Sequence, residues 1–239
     1  MKKIKYLFLI LNLLFLMFST SCNVKGKDIT DEEFTILYDA IMALENGNYT
    51  AEQNNVEKRK LSISDGEKTF SESQHKKYFI EYKQESNKSY SICTDLEKNK
   101  KSEWYKEKID EQYLYYEFVD NKWESINYYE YDDAFTTFSY FNFSLKKECF
   151  TKNGNIYYGK YDILDELLIE KICNGFDTEG TKVSVKKFEI TVEDNKVKSI
   201  CIKYEVSITE ENSTYFYSYD FETNIINYED TKIDININD

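Results

Sequence analysis

Proline is absent from this chain of 239 residues, arginine occurs once (Arg59), histidine once (His75), and glycine only 7 times. Without Pro- or Gly-rich stretches there is no linker to divide the chain. A single His in the polar run from Ser71 to Lys77 supports neither a Ser–His–Asp triad nor a His-based metal site. No Cys-x-x-Cys, no His-x-x-x-His and no Gly-rich phosphate loop occurs. The acidic pairs Asp132-Asp133 and Glu210-Glu211 read as solvated turns. The expectation is therefore a protein without metal or cofactor and without enzymatic activity. Carboxylate-only glycoside hydrolysis needs merely two placed acids, but nothing in the order of the 44 acidic residues favours it.

What is present begins with a leader. Lys2, Lys3 and Lys5 precede an apolar stretch from Tyr6 to Phe18, broken only by Asn12, and Ser19, Thr20, Ser21 and Cys22 follow. A basic start, a short apolar centre and a small-residue end read as a secretory signal. The apolar stretch is about half of what a helix needs to cross a bilayer. The Ser-Thr-Ser-Cys ending resembles a bacterial lipobox, with Ser19 standing where that motif usually has Leu. The resemblance implies removal of residues 1–21, a diacylated (palmitate-type) Cys22, and a lipoprotein held on the extracytoplasmic face of the cell membrane. The alternative is an ordinary signal peptide with a chance Cys. Residues 22–30 then form the lipidated Cys and a short tether, and 31–239 a single domain.

Loss of the three leader lysines leaves 28 basic against 44 acidic residues, a net charge of −16. Such a surface repels nucleic acid and anionic headgroups, so membrane attachment falls to the acyl chains. Disorder is excluded by aromatics at 17% of residues.

Thr30 to Glu33 has the form of a capping box. Phe34, Leu37, Tyr38, Ile41 and Leu44 follow as one helical stripe, ended by Asn46-Gly47. From Tyr49 the period is two. Asp65-Gly66, Asp120-Asn121, Asn153-Gly154, Asp194-Asn195, Glu211-Asn212 and Thr223-Asn224 read as turns between strands. A last alternating strand runs to Ile233, Ile235 and Ile237. Ile163, Leu164, Leu167, Leu168 and Ile172 make a second helix stripe, and residues 132–145 an ambiguous third. The apolar phase flips between Val183/Val185 and Phe188/Ile190/Val192, as a β-bulge would produce. Fold class is α+β: a large curved antiparallel sheet, half-barrel-like, with two or three helices on its concave side.

Four cysteines remain beyond Cys22, namely Cys93, Cys149, Cys173 and Cys201. An even number in an exported domain suggests two disulfides, with three possible pairings. The stretches Tyr113 to Val119 and Tyr215 to Phe221 are apolar on both faces, more than two or three helices can cover. One face is therefore expected to line an opening, at Tyr113, Tyr115, Tyr215 and Tyr217. The aromatics from Trp123 to Tyr131 are either a recognition surface or an ordinary sheet face.

The order of leader, amphipathic helix ending in Ala43 to Tyr49, strand-rich body and closing meander resembles the LolA-like lipoprotein-carrier superfamily. That resemblance implies an open half-barrel with an apolar cavity for acyl chains. The family's carrier-type Arg has no match, Arg59 being the sole candidate in a different context. The reading is a membrane-anchored lipoprotein that binds a hydrophobic or amphipathic ligand, such as a lipid or acyl chain, with no nucleic acid partner. The alternative is a protein- or glycan-binding surface module with no ligand cavity.

Overall fold

The computed structural model describes residues 26–45, 47–64, 69–109, 112–127, 145–173 and 180–237. The leader, Cys22, the Asp65-Gly66 turn and the ambiguous helix at 132–145 lie wholly or largely outside these residues. Chain order is β1 (Lys27–Asp28), α1 (Asp31–Glu45), β2 (Asn48–Ser64), β3 (Thr69–Glu85), β4 (Lys88–Asp95), β5 (Lys100–Ile109), β6 (Gln112–Val119) and β7 (Lys122–Ile126). A 3-10 turn (Lys147–Cys149), β8 (Phe150–Asn153), β9 (Ile156–Gly159), α2 (Tyr161–Cys173), β10 (Thr181–Glu193), β11 (Lys196–Glu210) and β12 (Ser213–Tyr228) complete it.

The twelve described strands form one antiparallel sheet in the order β1-β8-β9-β10-β11-β12-β2-β3-β4-β5-β6-β7. β1 and β7 do not pair with each other, so the sheet is open among the described residues. The hairpin turns follow from residues that tolerate positive φ. Asp120 and Asn121, and Asp194 and Asn195, occupy both central positions at φ between 49° and 64°, the geometry that suits a tight hairpin to strand twist.

Both described helices lie on one face. On α1, Leu37, Ala40, Ile41 and Leu44 are buried, while Tyr38, expected in the stripe, is exposed. On α2, Leu164 and Leu168 are buried. They meet Val185, Phe188, Ile190, Ile200, Ile202 and Val206 of β10 and β11 in one cluster. The phase flip in β10 is a bulge: Val185 pairs with Tyr204 and Lys187 with Lys203, leaving Lys186 extra. Asp165 of α2 accepts a hydrogen bond from the Val185 N–H, so the helix is tied to the irregularity. Gly159 of β9 allows close approach there, since a Cβ would stand 2.3 Å from Leu164 Cδ1 and 2.8 Å from Phe188 Cβ.

Four expectations need correction. Thr223-Asn224 is not a turn: β12 runs unbroken to Tyr228, with a bulge at Ile226. The alternating isoleucines near the C-terminus form no strand, although Ile233 is buried and its N–H donates to Glu85 Oε2 at 2.9 Å. The segment expected as tether already belongs to the domain by Lys27, because β1 pairs with β8 and Ile29 is buried. The described cysteines form no disulfide with one another. Cys93 and Cys201 lie on β4 and β11, four strand spacings apart, or about 19 Å along the sheet. A disulfide requires Cα atoms within about 7 Å. Cys149 is buried as a thiol; the side chain of Cys173 is outside the described residues.

The capping box forms as read. Glu33 N–H donates to Thr30 Oγ1 at 3.2 Å and Thr30 N–H to Glu33 Oε2 at 3.0 Å. The Thr30 N–H, aided by the Lys152 ammonium, holds the Glu33 carboxyl below the usual glutamate range. Because the folded value is the lower one, this stabilisation is present above the ordinary glutamate pKa and lost as pH falls through the folded value. Thr30→Ala is expected to cost about 1 kcal/mol, read as a lower denaturation midpoint at neutral pH. In Glu33→Gln, the loss of stability on acidification should be shallower than in wild type. Gly159→Ala is expected to destabilise by about 1–3 kcal/mol through the Phe188 contact, measured in the same way.

Candidate functional site

The ladder registers decide which side chains share the helix-bearing face. From the buried row Ile200, Ile202, Tyr204 and Val206 of β11, the face passes to Tyr215, Tyr217, Tyr219 and Phe221 of β12. It continues to Leu61, Arg59, Glu57 and Asn55 of β2 and to Glu72, Gln74, Lys76 and Tyr78 of β3. Beyond the helices, where these strands project, lies an open groove of about 220 Å³ lined by Arg59, Lys60, Leu61, Glu72, Gln74, Tyr215 and Tyr217. All but Lys60 belong to two adjacent rows of the ladder, Tyr217–Arg59–Gln74 and Tyr215–Leu61–Glu72.

One wall of the groove is aromatic. Tyr217 and Tyr219 are nearly parallel, their rings 6.4 Å apart at 9°, and Phe221 continues the stack at 5.9 Å and 10°. Tyr204 stacks on Tyr219 at 5.0 Å. The ladder thus leads from the groove into the core, where Tyr217 and Tyr219 pack against the main cluster. The other wall is polar. Arg59 reaches Glu57 at 3.3 Å, and Gln74 Nε2 reaches Glu72 Oε1 at 3.5 Å. Arg59 is about half exposed, so its guanidinium keeps donors for a further acceptor. Two rows inward, burial pushes the Tyr78 hydroxyl up to about 12, with Glu57 and Asp95 adding to the effect.

Further along the same face the interior turns polar. Gln53 Nε2 donates to Asn55 Oδ1, and Thr223 Oγ1 donates to Gln53 Oε1 at 2.9 Å. On β4, the Ser89 and Ser91 hydroxyls are fully buried with no hydrogen-bond partner among the described residues.

The four tyrosines expected to line one opening share a face but not a place. Tyr115 pairs with Lys106 in a row that leads through Ser89 and Gln84 to Tyr49. Tyr49 is twelve residues from Leu61 along β2, about 40 Å. Tyr113 is exposed, with the Lys106 and Lys108 ammonium groups 5.5 and 5.9 Å from its ring centre. Only Tyr215 and Tyr217 belong to the groove. Trp123 lies on the opposite face, against Phe118 at 5.2 Å, Tyr105 at 6.1 Å and Tyr90 at 6.2 Å; Tyr128, Tyr129 and Tyr131 are outside the described residues. His75 is also on the opposite face, 3.4 Å from Glu97. No group of three or more His, Cys, Asp or Glu among the described residues is placed to hold a metal. No described helix is long and apolar enough to cross a membrane.

No family model matches the chain, and no curated protein is significantly similar to it. Among solved structures, it is similar to a DUF1329 family protein from Desulfovibrio piger at 10% identity and a TM-score of 0.28, over 85% of this chain and 96% of that one. It is similar to Neisserial surface protein A at 9% identity and a TM-score of 0.18, over 74% and 97%. Likenesses this distant bear no weight for function.

Proposed function

We propose that this chain is an extracytoplasmic lipoprotein, anchored to the cell membrane through Cys22, that binds an amphipathic ligand in the groove beside Tyr215 and Tyr217. The observation that carries the reading is the groove's two-sided chemistry. An aromatic ladder continuous with the core supplies apolar contact, and the one guanidinium in the protein stands opposite it with donors to spare. A lipid or other acyl compound with a polar head fits this division. The carboxylates of Glu57 and Glu72 favour a head that is neutral or zwitterionic over one of high negative charge. The reading is of binding without chemistry, in a sheet that curls as a half-barrel around its ligand. A surface module for protein or glycan is the second reading. It draws on the exposed pair Ile63 and Phe70, which oppose each other on the same face just beyond the groove.

A fluorescent acyl probe with a zwitterionic head tests the first reading. Wild-type protein is expected to bind it, and Tyr217→Asp to weaken binding by roughly tenfold or more, since burying a charge against the aromatic wall is costly. Arg59→Gln should weaken it by a smaller factor. Absence of probe binding by the wild-type protein refutes the acyl ligand and leaves the surface-module reading. The anchor is tested separately: Cys22→Ala is expected to block leader processing or to release the protein from membranes. Unchanged fractionation with normal processing would sink it.

A further inference from the structure

Among the described residues, the outer edge of β3 leaves a long stretch of backbone unpaired. β3 pairs with β2 without a register shift from Thr69 to Glu85, but β4 covers its other side only from Tyr78 onward. Seven consecutive residues, Thr69 to His75, are exposed. Native sheets blunt such edges with proline, bulges or a dense row of charge. Here the chain has no proline at all, the ladder has no bulge, and Thr69 to His75 carry Glu72 as their only carboxylate and no Lys or Arg. The opposite limits of the sheet differ: β1 is two residues long and β7 five.

The direction of the edge groups follows from one hydrogen bond. Leu96 N–H donates to the Lys77 carbonyl at 2.8 Å, so Lys77 points its polar groups away from β2. In a strand the N–H and C=O of one residue point to the same side and alternate along the chain. Thr69, Ser71, Ser73 and His75 therefore present their N–H and C=O groups outward. Phe70, Glu72, Gln74 and Lys76 bond to β2. The open segment ends where the β4–β5 turn begins, marked by the Leu96 bond and the His75–Glu97 contact.

We infer that this edge pairs with the same edge of a second copy of the chain, antiparallel and centred on Ser73. A two-fold axis normal to the sheet keeps the helix-bearing faces of both copies on one side, so paired residues must have like parity. A register centred on Glu72 sets that carboxylate against its own copy, which is unfavourable for directly opposed like charges. The register centred on Ser73 opposes Glu72 to Gln74, Phe70 to Lys76 and Ser71 to His75, with no like charges facing. It uses Phe70 to Lys76; Thr69 falls opposite Lys77, whose carbonyl already accepts from Leu96, so the pairing ends at Phe70. The outward groups of Ser71, Ser73 and His75 then meet their counterparts as hydrogen-bonded pairs, and the exposed Phe70 ring gains the Lys76 stem as cover. The interface is small, so the dimer is weak and concentration-dependent. This inference does not depend on what the groove binds.

A symmetric hydrogen-bonded pair has Cα atoms about 5.5 Å apart, within disulfide range. In full chain held in detergent micelles, mild oxidation of Ser73→Cys is expected to give about tenfold more covalent dimer than Ser71→Cys, whose two copies would stand four residues out of register. Wild type measures the background from the native cysteines. Equal dimer in the two variants overturns the register. Independently of any added thiol, sedimentation velocity of the wild-type protein should show a dimer that grows with concentration. Ser73→Pro should lower that dimer fraction with circular dichroism unchanged, because Ser73 donates no bond to β2. A wild-type protein that stays monomeric throughout, or a dimer untouched by Ser73→Pro, overturns the inference.

Discussion

The apolar layer between the two helices and β10–β11 is the constraint on which the rest of the molecule depends. Leu37, Ile41, Leu164 and Leu168 meet Phe188, Ile190, Ile200 and Ile202 there, and burial of such side chains is worth roughly 1.5–3 kcal/mol each. Surface ion pairs add little by comparison. Lys147–Asp31, Lys152–Glu33 and Lys160–Asp28 fix where the start of the domain sits on this layer and contribute modestly to its stability. The two described helices, of fifteen and thirteen residues, cannot by themselves roof the twelve described strands. Among the described residues, the groove lies where β12, β2 and β3 outrun that roof.

The boundary of the covered region is chemically marked. Along one face the residues pass from the aliphatics of β11 to the tyrosines of β12, then to Gln53 and Asn55 of β2 and to the serines of β4. Gln53, Asn55 and Thr223 satisfy one another, which makes their burial tolerable. Ser89 and Ser91 are buried on the same face, with hydroxyls that find no partner among the described residues. The same face therefore offers dry packing at one side, a mixed groove at its projecting end, and buried hydroxyls farther across.

Period and turn chemistry made much of this legible. The capping box, both described helix stripes apart from Tyr38, the β10 bulge and the Asp120-Asn121 and Asp194-Asn195 turns follow from local rules. Thr223-Asn224 misled because polar residues in mid-strand look like a turn; Thr223 is there for its bond to Gln53, 170 positions away. The groove was half visible. Tyr215 and Tyr217 stand out by alternation, but Arg59, Leu61, Glu72 and Gln74 join them only through cross-strand register. A two-residue turn at Asp65-Gly66 would set Ser64 against Glu67, whereas the ladder sets it against Thr69. That shift of two changes every neighbour along β3. Tyr113 and Tyr115 follow the same alternation as Tyr215 and Tyr217, and periodicity carries no information on which strands become neighbours.

The two tryptophans give the sheet a built-in optical asymmetry. Trp104 is buried on the helix-bearing face of β5 and Trp123 lies in the aromatic cluster on the other face, while the groove at the far end of β2 and β12 contains tyrosine alone. Indole emission, excited selectively at the red edge, thus reports the β4–β7 half and is blind to the groove. Excitation at shorter wavelength adds the 22 tyrosines, the stacked ladder among them. A perturbation of Tyr217 that leaves the tryptophan spectrum unchanged is a local event at the groove, and one that moves both is a change in the sheet as a whole.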